Sequence, residues 1–246
     1  MAKKSRLDNL LVEKGFFPSR EQAQRAVMAG EVRLGDRILS KSSVLLAADA
    51  EISVTAPPQF VGRGGIKLEG ALQHFNIDVN GVTALDIGAS TGGFTDCLLQ
   101  RGAAKVYAFD VGHGQLAWKI RNDPRVVVRE KLNARFLSSA DVQDKIDLCV
   151  IDVSFISLTL ILPNAFDLLT ENGMVLALIK PQFELQPSEV ERGGIVSDPL
   201  LHEKAREKIQ SFVQHLGHVV LGIVPSTITG TEGNQEFFIC VRKQSA

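Results

Sequence analysis

Seven apolar segments alternate with helical patterns from Val82 onward, and this alternation restricts the possible folds more than any other feature. Near-continuous apolar strands separated by helices predict a mainly parallel sheet with both faces covered. The segments are VTALDIGA, KVYAFDVG, RVVVRE, KIDLCVIDV, GMVLALIKP, VVLGIVPS and EFFICVRK. Only STITGTEGNQ joins the last two, which is too short for a helical crossover, so the final strand is predicted to run antiparallel.

The direction of the last strand decides which residues can meet. Its first residue, Glu236, is predicted to lie at the edge where the parallel strands end, and open α/β sheets bind ligands beyond those ends. Asp152 follows the fourth strand and Lys180 follows the fifth. Lys67 lies on a helix predicted from RGGIKLEGAL, just before the sheet. We therefore expect these four charged residues to form one cluster of two lysines and two acids.

The first strand runs into LDIGASTGGFTDCLL, where Gly88, Gly92 and Gly93 precede a predicted helix. Two explanations stay open, namely the close approach of a ligand to the backbone and tight packing between strand and helix. A phosphate-binding loop would need G-K-[ST], which is missing, and the G-x-x-x-G-G spacing differs from the dinucleotide pattern. Asp110 ends the second strand, where an acid would bind ribose hydroxyls of a dinucleotide or of S-adenosylmethionine. The antiparallel last strand favours S-adenosylmethionine, because it is typical of Rossmann-like methyltransferase sheets.

A cluster of lysines and acids beside a methyl donor suits methyl transfer to a ribose 2'-hydroxyl. An alcohol is a poor nucleophile until its proton departs, so a nearby group must accept or steer that proton. A lysine can do so when its amine is kept partly neutral, with the acids fixing its orientation. The reaction needs no metal, and the three cysteines are too far apart for a zinc site or a disulfide framework.

The first 55 residues predict a small, separate α+β module. Two short helices end at Gly15 and Gly30, and small strands follow around the hairpin turn Gly35-Asp36. Ser5 with Asp8, and Ser19 with Gln22, have the spacing of helix-capping boxes. Segment 56–62, rich in proline and glycine, is the expected linker, which leaves 63–246 for the α/β domain.

Composition limits the partners of the chain. Lysine and arginine number 27 against 28 acids, so RNA binding would depend on local placement rather than on net charge. We expect no membrane segment, because SLTLILPNAF, the longest apolar stretch, is far shorter than the ~20 residues needed. The basic N-terminus lacks an uninterrupted apolar stretch, so we expect no secretion signal and a cytoplasmic location. Cys97, His113 and Trp118 are expected to be packing residues rather than participants in the chemistry.

The order of residues in the first module resembles the αL RNA-binding domain named after small-subunit ribosomal protein S-four. The resemblance rests on R-L-D, on the S-R-x-x-A opening of the second helix, and on the glycine and hairpin that follow. It implies that basic residues grip phosphates of structured RNA. The residues concerned are Arg6, Arg20, Arg25, Arg33, Arg37 and Lys41. Gly35-Asp36 replaces the family's frequent Asn-Gly.

The remaining motifs strongly resemble the TlyA family, also called hemolysin A, over nearly the whole chain. They are RGGIKLEGAL, LDIGASTGGFTDCLL, DVGHGQLAWKIRNDPRV, DVSFISL, LIKPQFE and GGIVSDPLLHE. The resemblance implies an FtsJ-like methyltransferase domain that uses S-adenosylmethionine to methylate cytidine 2'-hydroxyls in ribosomal RNA. The substrate would be RNA within a ribosomal subunit, and this compact chain resembles the shorter members, which are assigned to large-subunit RNA alone.

The resemblance also implies roles for individual residues. Lys67, Asp152, Lys180 and Glu236 would form the catalytic K-D-K-E tetrad of the family, with Lys180 as its central amine. The residues that would bind the donor are Asp86, Gly88, Ala89, Ser90, Thr91, Gly92, Gly93, Phe94, Asp110 and Asn133. Asn133 would lie near the adenine, although Lys131-Leu132 stands before it where the family usually has R-T.

Two other classes of function stay open at this point. One is a membrane-lysing hemolysin, which the family's second name suggests but for which the sequence shows no convincing long amphipathic helix. The other is a non-catalytic RNA-binding factor in ribosome assembly that keeps the fold. Detectable donor binding would distinguish an enzyme from such a factor.

Overall fold

The computed structural model describes residues 4–55, 58–230 and 232–244. The chain forms two compact units, Met1–Pro58 and Gln59–Ala246, and the division falls inside the expected linker 56–62. Ala56 and Pro57 of that linker lie outside the described residues. The exact domain boundaries at 55 and 63 stay predictions.

The first unit is a small α+β module. Its elements are β1 (Lys4–Arg6), α1 (Leu7–Glu13), α2 (Arg20–Met28), β2 (Val32–Leu34), β3 (Arg37–Ile38), β4 (Leu45–Ala47) and β5 (Ile52–Val54). Strands β3, β2 and β5 form one antiparallel sheet, and β1 pairs with β4 in another. Leu7, Leu10, Leu11 and Val27 are buried in its apolar core.

One of the two predicted helix caps is confirmed. The Ser19 hydroxyl accepts a hydrogen bond from the Gln22 N–H at the start of α2. Ser5 does not cap α1, because it belongs to β1 and pairs with Leu46 of β4. The pairing of β1 with β4 depends on residues about forty positions apart, so the local capping pattern around Ser5 was misleading.

The second unit contains a central sheet with helices on both sides. Its strands are β6 (Thr83–Ile87), β7 (Lys105–Phe109), β8 (Val126–Arg129), β9 (Ile146–Ile151), β10 (Leu169–Ile179), β11 (Val219–Pro225) and β12 (Phe237–Arg242). Its helices are α3 (Arg63–His74), α4 (Gly93–Gln100), α5 (Trp118–Arg121), α6 (Leu162–Leu168), α7 (Pro181–Glu184) and α8 (Pro199–His215). Short 3₁₀ turns span Ala134–Phe136, Leu158–Leu160 and Pro187–Glu189.

The sheet confirms the predicted fold class and strand direction. The spatial order is β11-β12-β10-β9-β6-β7-β8, and β12 runs in the opposite direction to the other six strands. Ile179 at the end of β10 pairs with Phe237 at the start of β12. The residues next to this pair, Lys180 and Glu236, therefore come to the same sheet edge.

Alternate residues of the strands fill two separate cores. Leu85, Cys149 and Val175 face the side covered by α6 and α8. Ala84, Leu148 and Leu176 face the side covered by α3 and α4. Helix α8 begins with the Asp198 carboxylate accepting from the Leu200 N–H, and a proline occupies its first turn. The sheet is thus buried on both faces, which is why its strands read as continuous apolar runs.

Candidate functional site

The glycines after β6 are required by packing inside the protein. Gly88 has a φ of +89°, and a Cβ atom there would lie 2.1 Å from the carbonyl oxygen of Asp152. Gly92 has a φ of +93°, and its Cβ would lie 2.9 Å from Leu116 Cδ1. Packing therefore explains both glycines without a ligand. The case for a ligand depends instead on the space beside this loop.

A cleft of about 870 Å³ opens at the carboxyl ends of β6, β7 and β9. Gly88, Asp110, Asn133, Asp152 and Phe155 are among its lining residues. A smaller recess of about 110 Å³ continues beside Gly88–Gly93 and also touches Asp152. A cleft of this size, mostly apolar with a few polar groups, has the properties of a small-molecule site.

Asp110 is fixed in the wall of the cleft by two backbone hydrogen bonds. Its Oδ2 accepts from the Ser90 N–H at 2.8 Å and its Oδ1 accepts from the Gly112 N–H at 2.6 Å. These two bonds leave other lone pairs of the carboxylate free, so Asp110 can still accept a hydrogen bond from a ligand hydroxyl. Its role in holding a ribose stays a prediction.

Asn133 also lines the cleft. The backbone contacts of the two residues before it explain how Lys131-Leu132 is tolerated. The N–H groups of Lys131 and Leu132 donate to the carbonyls of Gly112 and Asp110, at 3.1 and 3.0 Å. Both contacts use the backbone, so they do not depend on the side chains at these two positions. Asn133 itself caps the turn Ala134–Phe136 by accepting from the Arg135 N–H.

Asp86 lies beneath the glycine loop and is fully buried. Its Oδ2 accepts from the Thr95 hydroxyl at 2.6 Å, and its Oδ1 has no hydrogen-bond partner among the described residues. Burial raises the pKa of Asp86 to about 7. Asp86 is not among the residues that line the cleft, so it supports the loop from below.

The other predicted donor residues surround the smaller recess. Ala89, Ser90, Thr91, Gly93 and Phe94 line it, together with Gly64 before the loop. Phe94 and Ala89 are buried, whereas Ser90 and Thr91 are exposed. The recess therefore has an apolar floor and a polar rim, at the N-terminal end of α4.

The four charged residues come together as two ion pairs. Lys67 Nζ lies 2.5 Å from Glu236 Oε2, and both side chains are buried. Lys180 Nζ lies 2.6 Å from Asp152 Oδ1 and donates to Ser154 Oγ at 3.1 Å. The pairs join four distant parts of the chain at the sheet edge that the topology predicts.

A further recess of about 370 Å³ connects the two ion pairs. Lys180 and Glu236 both line it, with Ser154, Phe155 and Asn234. Asp152 borders the large cleft on the other side of its lysine partner. The Lys180–Asp152 pair thus borders two spaces, because Asp152 lines the cleft and Lys180 lines the further recess.

Phe155 is a feature that the sequence analysis missed. Its side chain is 90% exposed, its φ is +64°, and its ring centroid lies 5.0 Å from that of Phe183. A non-glycine residue at positive φ is strained, and such strain is common at functional sites. The quoted motif DVSFISL contains Phe155, but only its aspartate had been given a role.

Three of the basic residues of the first unit form ion pairs with acidic residues of the same unit. Arg6 and Arg20 both donate to the buried Asp8 carboxylate, and Arg25 pairs with Glu21 at 2.6 Å. The Arg6 guanidinium holds the pKa of Asp8 well below its usual range. Arg33 lies half-buried in β2, and two further basic residues, Arg37 and Lys41, are exposed. Their binding to RNA stays a prediction.

Two of the three expected packing residues lie at the surface. Trp118 is largely exposed at the start of the short helix α5, and exposed His113 pairs with Glu130. Cys97 is buried, as expected. Trp118 and His113 lie in the glycine-containing segment after β7, where both are exposed. An aromatic side chain in this segment therefore did not indicate burial.

No helix in the described part of the chain is both long enough and apolar enough to span a bilayer. No group of three or more metal-binding side chains occurs within 4–55, 58–230 and 232–244.

The chain is similar to two families and to several named proteins. Residues 60–243 match the FtsJ-like methyltransferase family, and residues 5–52 match the S4 domain. The "16S/23S rRNA (cytidine-2'-O)-methyltransferase TlyA" of Mycobacterium tuberculosis is 42% identical, over 100% of this chain and 92% of the relative. Hemolysin A of Brachyspira hyodysenteriae is 43% identical, over 94% of this chain and 97% of the relative.

Solved structures agree with these relatives. A hemolysin candidate from Lactococcus lactis is 51% identical, with a TM-score of 0.75 over 76% of this chain and 90% of that chain. An S-adenosylmethionine-dependent methyltransferase from Mesorhizobium loti is 13% identical, with a TM-score of 0.55 over 74% of this chain and 100% of that chain. The second likeness concerns the fold alone.

Proposed function

Because the chain belongs to the FtsJ-like methyltransferase family, is similar to TlyA proteins over its whole length and has an S4 domain at its N-terminal end, we propose that it methylates ribosomal RNA. The methyl group comes from S-adenosylmethionine and is transferred to the 2'-hydroxyl of a cytidine. The name of the Mycobacterium tuberculosis relative supports both the reaction and the substrate.

The large cleft and its small recess suit the methyl donor. Their size fits a nucleoside with an amino-acid arm. Asp110 would accept from the ribose hydroxyls, Asn133 would lie near the adenine, and the loop Gly88–Phe94 would hold the methionine part. When bound, S-adenosylmethionine supplies an electrophilic methyl carbon on a positively charged sulfur.

Lys180 is the residue best situated to take the proton from the acceptor hydroxyl. Lys180 lines the further recess and its Nζ is paired with Asp152 of the cleft, so a hydroxyl bound in that recess lies within reach of the amine. Lys180 is paired with Asp152, so its ammonium must first release a proton to water. The neutral amine would then accept the hydroxyl proton while the hydroxyl oxygen takes the methyl group, the bond from that methyl to the donor sulfur breaks, and a neutral thioether leaves. The Asp152 carboxylate would stabilise the ammonium that forms again on Lys180. The proton then returns to water.

Lys67 and Glu236 would hold the other side of the recess. Their mutual ion pair neutralises two buried charges, and Glu236 lines the space beside Lys180. Phe155 offers an exposed aromatic face at the rim, on which an unstacked base can lie. These features suit a single nucleotide drawn out of its RNA helix.

The first unit would bind the surrounding RNA. Arg37 and Lys41 are exposed, and Arg6 and Arg20 keep partly exposed guanidiniums around Asp8. Such residues contact phosphates and recognise folded RNA more by shape than by sequence. The partner is ribosomal RNA, within an assembled or assembling subunit in the cytoplasm.

The single observation that carries this proposal is the Lys180–Asp152 pair between two ligand-sized spaces. The test is to incubate the purified chain with tritiated S-adenosylmethionine and with unmethylated 30S or 50S subunits, then to map ribose methylation. We expect label at a cytidine 2'-oxygen of the large-subunit RNA. Absence of label on both subunits would overturn the proposal.

The same preparation distinguishes the alternatives. Donor binding undetectable by calorimetry, together with tight binding to subunits, would favour a non-catalytic assembly factor. Lysis of liposomes without S-adenosylmethionine would favour the hemolysin interpretation.

A further inference from the structure

Glu184 is a buried carboxylate that the proposed reaction does not use directly. It is 5% exposed and lies at the end of α7, four residues after Lys180. Its Oε1 accepts from the Leu158 N–H at 2.7 Å, and its Oε2 accepts from the Ser157 hydroxyl at 2.6 Å. Lys208 of α8 donates to the same Oε2 at 2.8 Å and to the Glu184 carbonyl at 2.7 Å.

These contacts join two segments that carry the proposed catalytic groups. One is Lys180–Glu184, and the other is Asp152–Leu158. At one end the segments meet through the Lys180–Asp152 ion pair and the Ser154 hydroxyl. At the other end they meet through Glu184, and the rings of Phe155 and Phe183 touch in between.

The arrangement gives Glu184 a mechanical role. Phe155 has a strained positive φ, so the segment around it keeps this conformation only if its flanks are held. Asp152 follows β9 directly and is fixed on one side, whereas the other side is fixed by the two bonds from Ser157 and Leu158 to Glu184. Lys208 supplies the positive charge that a buried carboxylate needs.

We propose that Glu184, with Lys208 as its counter-ion, is a positioning residue that holds the segment 154–158 against Lys180. The inference rests on the proposed methyl transfer. Without the Glu184 contacts, Ser154 and Phe155 move away from the lysine, and the acceptor hydroxyl is no longer aligned with the methyl donor. A displacement of about 1 Å in such a site costs up to about 100-fold in rate.

The test compares Glu184→Gln and Lys208→Met with a matched control, Lys204→Met. Lys204 lies one turn earlier on α8 and pairs with Glu189 at the surface, at 2.5 Å. We expect the first two variants to lower the single-turnover rate of methyl transfer about 10- to 100-fold. Their donor Kd and the KM for the ribosomal subunit should stay within about twofold of wild type, and the control should match wild type.

A purely structural role would change the melting temperature and the amount of folded protein, but not the rate per folded molecule. Hydrogen exchange supplies a readout that needs no activity. We expect faster exchange at the Leu158 amide in Glu184→Gln, but not in Lys204→Met. Unchanged exchange and an unchanged rate would overturn the positioning role.

Failure of the proposed function would give a different result. In that case wild type and Lys204→Met would also transfer no methyl group. The exchange comparison would then decide whether Glu184 holds the segment. If exchange were unaffected, the positioning role would be refuted together with the reaction.

Discussion

Burial of Asp86 beneath the glycine loop should make the stability of the second unit depend on pH. The pKa of this carboxyl is about 7 in the folded protein, against an ordinary value of 3.8. Because the folded-state pKa is the higher one, the folded protein keeps its proton over a range where the unfolded chain loses it. The resulting stabilisation is complete below about pH 3.8 and is lost as the pH rises through 7.

The size of the effect follows from the difference between the two pKa values. A difference of about 3 units corresponds to about 4 kcal/mol in the free energy of unfolding, of which about 3 kcal/mol is lost between pH 5 and pH 8. Asp86→Asn removes the ionisation but keeps an oxygen that can accept from the Thr95 hydroxyl. The free energy of unfolding of the variant, measured relative to that of wild type, should therefore rise by about 3 kcal/mol between pH 5 and pH 8.

The assay is urea unfolding at pH 5, 6, 7 and 8, followed by far-ultraviolet circular dichroism. The second unit contains most of the helices and strands of the chain, so this signal mainly reports its unfolding. Asp167→Asn serves as control, because Asp167 is exposed. If the difference between wild type and Asp86→Asn stays constant over this range, the carboxyl does not titrate as burial requires.

Two further substitutions test the packing of each unit. Gly88→Ala should destabilise the second unit by more than about 2 kcal/mol, because its Cβ meets the Asp152 carbonyl and its φ is positive, and urea unfolding measures the loss. An unfolding midpoint equal to that of wild type would contradict the geometry of this loop. Asp8→Asn should destabilise the first unit by about 2 kcal/mol at pH 7, because two arginines lose their shared carboxylate. Hydrogen exchange at the amides of α1 measures this effect, and unchanged protection would refute it.

Topology was predictable because it depends on short local patterns. Apolar runs gave the seven strands, and the length of STITGTEGNQ gave the direction of β12. Once that direction is known, the strand ends bring Lys180, Asp152 and Glu236 to one edge. The positions of these residues could therefore be inferred without coordinates.

Pairings between side chains distant in sequence could not be predicted. Glu184 stands in LIKPQFE like an exposed residue at a helix end, and its partner Lys208 lies 24 residues further on. Gly88 gave a clear signal, but the reason for it is the carbonyl of Asp152, which directly follows a different strand, β9. Ser5 had the spacing of a cap, yet its partner strand β4 decided its conformation.

The central claim is that Lys180 removes the proton from the acceptor hydroxyl. The most direct measurement is the single-turnover rate of methyl transfer to ribosomal subunits by Lys180→Ala, beside donor binding measured by calorimetry. Lys145→Ala, at an exposed lysine on the same unit, is the control. Our account predicts a rate loss of about 10²- to 10⁴-fold with donor affinity unchanged. A rate within a few-fold of wild type would contradict it.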